Sequence, residues 1–249
     1  MILITGASSG IGEACAKLFA QHKQNLILLA RREEKLAHLA GELRAAFGVE
    51  VHTFQVDVRD RKALEELVQQ NPALCSKIRI LINNAGLAKG LSFIQDGNPD
   101  DWDTVIDTNL KGFLYVLHTF IPLLKNNKEA HIVNMGSVAG RWVYPKGNIY
   151  CATKHAVHAL SESLRMDLLG SQVRVTEISP GMVETEFSEV RLGDADKAKA
   201  VYKGMTALSP QDIAECVYWA TSRPSHVNIQ EIVIYPTDQA SPTLINRTV

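Results

Sequence analysis

Short apolar runs recur along the chain: ILIT at 2–5, NLILLA at 25–30, VEVHTFQVDV at 49–58, IRILINNAG at 78–86, AHIVNMGS at 130–137 and VRVTEIS at 173–179. In ILIT and IRILINNAG the apolar residues follow one another too closely for a face open to water, so these read as buried strands, and the other runs read as strands as well. Between the runs, apolar positions fall three and four apart, the spacing of one helix face. Helices are predicted after the first run (Ala14, Leu18, Phe19), over roughly 33–47, from near Asp60, and over about 101–125. Another starts at Tyr150 and carries Thr153, Lys154, Val157, Leu160, Ser161 and Leu164 along the same face. Strands alternating with helices imply about seven parallel strands wrapped on both faces: an α/β, doubly wound single domain over 1–249, with no linker and no repeat.

Composition narrows the classes of function. With 249 residues, 46% apolar and 21% charged, the chain has material for one sizeable core. A net charge of -1 offers no basic surplus for nucleic acid or an anionic membrane surface. No stretch approaches the ~20 apolar residues of a membrane span. Met1 is followed at once by a strand-like run rather than a basic and apolar leader, so a cytoplasmic protein is expected. Cys15, Cys75, Cys151 and Cys216 form no CxxC pair, and the eight histidines form no HExxH, so neither a disulfide frame nor a metal site is expected. His155 and His158 read as helix surface or packing.

The first run leads into TGASSGIG, with Gly6, Gly10 and Gly12 between a strand and an amphipathic helix. Glycines allow a tight turn and close approach of backbone to a ligand, and the helix start offers free N–H groups to a phosphate. No Lys–Ser/Thr pair closes the loop, so a nucleotide-hydrolysing P-loop is a poor match; a Rossmann-type dinucleotide site fits the context. Gly6, Ser8, Ser9, Gly10, Ile11 and Gly12 are the candidate phosphate-loop residues. About ~20 residues on, where an acidic residue would grip the ribose 2′-hydroxyl of NAD, stand Ala30, Arg31 and Arg32. A guanidinium suits a 2′-phosphate, so NADP(H) is expected in preference to NAD(H), the alternative being two solvated arginines at a helix start.

Asp57 and Val58 fall where an adenine would rest, although Asp57 is equally placed to cap the next helix. Asn83, Ala85 and Gly86 end a buried strand with residues small or polar enough for a ligand to come close. Asn109 lies inside a predicted helix, where Asn competes for backbone hydrogen bonds; it is either functional or an ordinary surface residue. Tyr150 and Lys154, four apart on a helix, point the same way, and an ammonium favours the ionised phenol, which makes a proton donor and acceptor near neutral pH. Ser137, at the end of an apolar run, is placed to meet them.

In this order TGASSGIG, NNAG, TNLKG, a Ser thirteen residues before Tyr, and YxxxK resemble the short-chain dehydrogenase/reductase family over essentially the whole chain. The resemblance implies that Asn109, Ser137, Tyr150 and Lys154 form the catalytic tetrad. Tyr150 would be the acid/base and Ser137 would polarise the substrate oxygen. Lys154 would hold the nicotinamide ribose and lower the tyrosine pKa, while Asn109 would position a water that relays protons. It also implies that Pro180, Gly181, Val183 and Thr185 surround the nicotinamide, that about 182–208 forms a lid, and that helices pair into a homotetramer. TEFSEVRLGD, LSPQDIAECVYW and HVNIQEIVIYPTDQ are similar to the family's NADP-dependent 3-hydroxy acid dehydrogenases acting on serine and allo-threonine. Arg191 is then the candidate for a small substrate's carboxylate, or else a solvated loop charge, and Arg141 and Lys146 are expected to modify acid specificity. A reductase of 3-ketoacyl thioesters or dicarbonyls, or a cofactor-sensing protein without catalysis, would share much of this pattern.

Overall fold

The computed structural model describes residues 1–248. Its chain runs β1 (Ile2–Thr5), α1 (Gly10–Gln21), β2 (Leu26–Ala30), α2 (Glu33–Phe47), β3 (Val51–Gln55), α3 (Arg61–Gln70), the short α4 (Pro72–Cys75) and β4 (Ile80–Asn83). It continues through α5 (Pro99–Ile106), a π-helical turn (Asp107–Gly112), α6 (Phe113–Leu124), β5 (Ala130–Met135), α7 (Asn148–Asp167), β6 (Val173–Pro180), α8 (Phe187–Leu192), α9 (Ala195–Val201), α10 (Pro210–Thr221) and β7 (Glu231–Ile234). The strands form one seven-stranded sheet in the order β3-β2-β1-β4-β5-β6-β7, parallel throughout.

Period-two alternation along the strands divides the core. Ile2 and Ile4 of β1 with Leu26 and Leu28 of β2 join α1, α2 and α10 on one face. Leu3, Ile27 and Leu29 join α3, α6 and α7 on the other. All five residues of β2 are buried, which is why its run is apolar without a break. α10 starts with a capping box between Ser209 and Asp212 and Pro210 in its first turn, and its Tyr218 meets Phe19 of α1 edge-on at 5.5 Å. Among the described residues no helix is long and apolar enough to cross a membrane.

Three sequence expectations change. The strand expected to reach Asp57 stops at Gln55, and the next helix is capped by Asp60, whose side chain accepts from Ala63 N, not by Asp57. The helix expected over 101–125 begins at Pro99 and contains a π-turn at Asp107–Gly112. Asn109 lies in that turn and is buried, so the surface alternative falls.

Candidate functional site

The strand order reverses between β1 and β4, so their connections leave in opposite directions and open a crevice at the carboxyl ends of the strands. A cavity of about 700 Å³ lies there, walled by the loops after β1, β2, β3, β4, β5 and β6 and covered by α8 and α9.

At one end is the glycine loop. Gly6 takes a left-handed φ of 66°, turning the chain under the cavity. Gly6, Ser8, Ser9, Gly10 and Ile11 all line the cavity, but Gly12 does not. A Cβ at Gly12 would overlap Gly6 O and Asn84 Nδ2, so this residue lets α1 pack against the loop and does not itself face a ligand. No side chain caps α1. Arg32 reaches across from the end of β2, donating to Ser9 Oγ at 2.6 Å and Ser8 Oγ at 3.2 Å. Its other arm meets Glu186 at 2.8 Å, and Lys35, one turn into α2, meets the same carboxylate at 2.7 Å. The Lys35 ammonium and then the Arg32 guanidinium outweigh partial burial and hold the Glu186 carboxyl at about 2. Arg31 lines the cavity beside them. Lys35 and Glu186 escaped sequence reading. Lys35 sits one turn beyond the arginine pair, a position the spacing offered, whereas Glu186 is 154 residues from Arg32.

Asp57 and Val58 also line the cavity. Partial burial acts to raise the Asp57 carboxyl, but hydrogen bonds from Arg59 and the charges of Arg59 and Arg31 leave it below its usual range. Ala85 and Gly86 line the cavity, whereas Asn83 is buried and donates to Phe113 O at 3.1 Å. Residue alternation along β4 explains the correction: it is Asn84 that faces the glycine loop, donating to Thr5 O at 2.9 Å.

At the other end, α7 brings Tyr150 and Lys154 onto one face, and Ser137 follows β5 at the same level. Lys154 is buried; its Nζ donates to Met135 O at 2.7 Å and stands 5.9 Å from the Tyr150 ring centre. Burial lowers the Lys154 ammonium to about 8, against the raising effect of the Glu177 charge. Burial and then the Tyr144 phenol push Tyr150 up, and the Ser137 hydroxyl and Arg191 charge only partly oppose them. The expected lowering of the phenol is therefore not a property of the protein chain alone: desolvation exceeds the help of the Ser137 hydroxyl and the Arg191 charge. Asn109 braces the wall. Its amide accepts from Leu87 N at 2.8 Å and donates to Leu87 O at 2.7 Å and Thr153 Oγ1 at 3.2 Å, tying the loop after β4 to α7.

Pro180, Gly181, Val183 and Thr185 continue the wall from β6 into α8. Phe187 packs on Tyr150 with ring centres 5.4 Å apart. Arg191, on the same helix, lies 5.6 Å from the Tyr150 ring centre and donates to the Tyr144 hydroxyl at 2.8 Å and Gly90 O at 3.2 Å. It is thus no free surface charge. Tyr144 was missed by sequence reading; nothing local marks a tyrosine between β5 and α7 as a partner for residue 191. Arg141 and Lys146 do not reach the cavity. Arg141 is engaged by Glu231 of β7, and Lys146 stands over the Phe93 ring at 4.9 Å on the outer surface.

A family model described as short chain dehydrogenase matches residues 1–195. The chain is 45% identical over 242 residues to a sulfoacetaldehyde reductase of Chromohalobacter salexigens, covering 96% of this chain and 95% of that protein. It is equally 45% identical over 242 residues to an NADP-dependent 3-hydroxy acid dehydrogenase of Salmonella typhi, covering 96% of each. The closed form of serine dehydrogenase complexed with NADP+ superimposes with a TM-score of 0.91 at 41% identity, over 100% of this chain and 99% of that one.

Proposed function

The chain belongs to the short-chain dehydrogenase family and is an NADP-dependent oxidoreductase of alcohols and carbonyls, and from that premise we propose that its substrate is a small 3-hydroxy acid of the serine or allo-threonine kind, or the matching 3-oxo acid. The observation that carries the reading is Arg191: a guanidinium 5.6 Å from the Tyr150 ring centre can hold an oxyanion while the phenol meets the reacting oxygen. The same guanidinium suits a sulfonate, and the similarity to a sulfoacetaldehyde reductase favours a sulfonated aldehyde as the second reading.

The donor set suits NADP. The glycine loop and the start of α1 would take the pyrophosphate, and Arg32, Arg31 and Lys35 with Ser8 and Ser9 would take the 2′-phosphate. NADP accepts or supplies the hydride when bound. Asp57 and Val58 would flank the adenine; Ala85, Gly86, Pro180, Gly181, Val183 and Thr185 would flank the rest of the cofactor.

In the oxidative direction Tyr150 takes the proton of the substrate hydroxyl, and in the reductive direction it returns it. Ser137 donates to the same oxygen and polarises it. Lys154, whose position against the Tyr150 ring is fixed by Met135 O, places a positive charge beside the phenol and offers its remaining donors to ribose hydroxyls. Asn109 holds the loop after β4 against α7 and, by family resemblance, anchors the water that relays protons to Lys154. Residues 182–208 act as a lid whose α8 brings Phe187 and Arg191 onto the site. We further propose a cytoplasmic homotetramer, a reading that light scattering and fractionation test.

The experiment follows nicotinamide absorbance with serine, allo-threonine, 3-hydroxyisobutyrate, sulfoacetaldehyde and uncharged secondary alcohols, for wild type and Arg191→Ala. Turnover of hydroxy acids, with Arg191→Ala raising KM about 10- to 100-fold for acids and little for uncharged alcohols, is the expected result. A preference for sulfoacetaldehyde selects the second reading. Equal effects on charged and uncharged substrates overturn the role of Arg191.

A further inference from the structure

Behind the reaction end of the cavity lies a carboxylate that no step above uses. Glu177, in the middle of β6, is fully buried. One of its oxygens accepts from Ser179 Oγ at 2.9 Å and the other meets His158 Nδ1 at 2.7 Å. A buried carboxylate without such partners would be costly, so the site is built around it.

Its third neighbour is Gly136. A Cβ there would overlap Glu177 Oε1 and crowd Ser179 Oγ, so the carboxylate fills the place a side chain would take beside residue 137. Gly136 N donates to Ile178 O at 2.8 Å, and the preceding residue, Met135, supplies the carbonyl that receives Lys154 Nζ. His158 lies one turn beyond Lys154 on α7. Glu177 therefore touches both segments that present the reacting groups: the turn carrying Ser137 and the helix carrying Lys154.

The surrounding charges leave that role to Glu177 alone. On α7, His158 also faces Glu162 at 3.7 Å, on the outer side. From β7, Glu231 comes close enough that atoms of His158, Glu177 and Glu231 all lie within 4.8 Å, but Arg141 already engages both Glu231 oxygens. That neutralises Glu231 and places a cation where a metal ion would have to compete. Facing Lys154 from the cavity are Tyr150 and, beyond it, Arg191.

We infer that Glu177 is a positioning residue, its carboxylate seated under Gly136 to fix the Ser137 turn and to supply the buried counter-charge that keeps Lys154 an ammonium. The inference rests on the roles given to Ser137 and Lys154 above, and not on the substrate. Glu177 is the one acidic group whose charge opposes the effect of burial on Lys154. Removing that charge lets burial act unopposed, so the ammonium is lost at lower pH.

The test is the pH profile of carbonyl reduction in enzyme saturated with NADPH, using whichever carbonyl compound turns over fastest. Glu177→Gln keeps the shape and removes the charge. Its alkaline limb is expected to move to lower pH by about one unit, a tenfold change in apparent acid dissociation constant, with NADPH affinity at neutral pH retained. Glu177→Asp keeps the charge but withdraws it by one methylene, so its limb moves the same way by less, about two- to threefold. A folded variant of either kind whose limb stays at the wild-type pH, whatever its kcat, overturns the inference; if the Gln variant does not fold, the Asp variant decides. A limb that shifts on adding zinc in wild type but not in His158→Ala would make His158, Glu177 and Glu231 a metal site and overturn it as well. Absence of turnover in wild type with every carbonyl would instead count against the oxidoreductase reading.

Discussion

At the glycine-loop end of the cavity, Arg32, Lys35 and Glu186 expose 43%, 49% and 42% of their side chains. At the other end Lys154 exposes 6%, and the nearest buried acid, Glu177, exposes none. Both ends carry charge, but water screens only the first. An exposed ion pair contributes about 0 to 1 kcal/mol, so selectivity there has to come from several donors converging on one ligand group. Arg32 with Ser8, Ser9 and Lys35 is the convergence proposed above for the 2′-phosphate. At the buried end the number of contacts matters less than the protonation states they impose. Burial moves Lys154 down and Tyr150 up, towards states in which neither is charged, and each neighbouring group tips that balance.

The contrast can be broken most sharply at Tyr150. Tyr150→Phe is expected to lower kcat by about 10²- to 10⁴-fold while NADP affinity, measured by fluorescence titration, stays within about twofold. Loss of cofactor affinity on the same scale would mean that the two ends do not act separately. Next in size, Arg32→Ala is expected to weaken NADP by about 10- to 100-fold and NAD by about twofold or less. Parallel losses for both cofactors would remove the 2′-phosphate role. The smallest effect is one of salt. Raising ionic strength from about 0.05 to about 0.5 M is expected to weaken NADP a few-fold and leave the alkaline limb of the pH profile unmoved, because only the exposed end is screened. A limb that moves with salt would show the reaction end open to solvent.

The same division explains what the sequence disclosed. The middle of the sheet was legible because β1, β2 and β4, covered on both faces, leave nearly unbroken apolar runs, and Glu33–Phe47 matches the expected helix at both ends. The glycine loop, the arginine pair and the Tyr150–Lys154 spacing are local, and local pattern finds them. Asn83 is expected at the cavity in place of Asn84 because two adjacent amides differ only in which face of a strand they occupy. The π-turn was invisible because one extra residue per turn barely disturbs apolar spacing over so short a segment. Tyr144 with Arg191, Glu186 with Arg32, and Glu177 with Gly136 are pairs joined only by the fold. In each case at least one partner carries no local signal and lies dozens of positions away, and the contact exists only once the fold has brought the two together.

The order of strands also bears on how the chain is assembled during synthesis. β2 adds to β1 and β3 to β2; β4 then takes the free edge of β1, and β5, β6 and β7 follow outward in turn. Every strand therefore joins an edge that earlier chain has already laid down, and none has to be inserted between two others. A growing chain can extend its sheet in the direction of translation, covering each exposed edge with the next segment to emerge. The glycine loop emerges early, whereas Gln239, Pro242, Ile245 and Arg247, which line the same cavity, emerge only after β7, so the cavity gains its full lining late in synthesis.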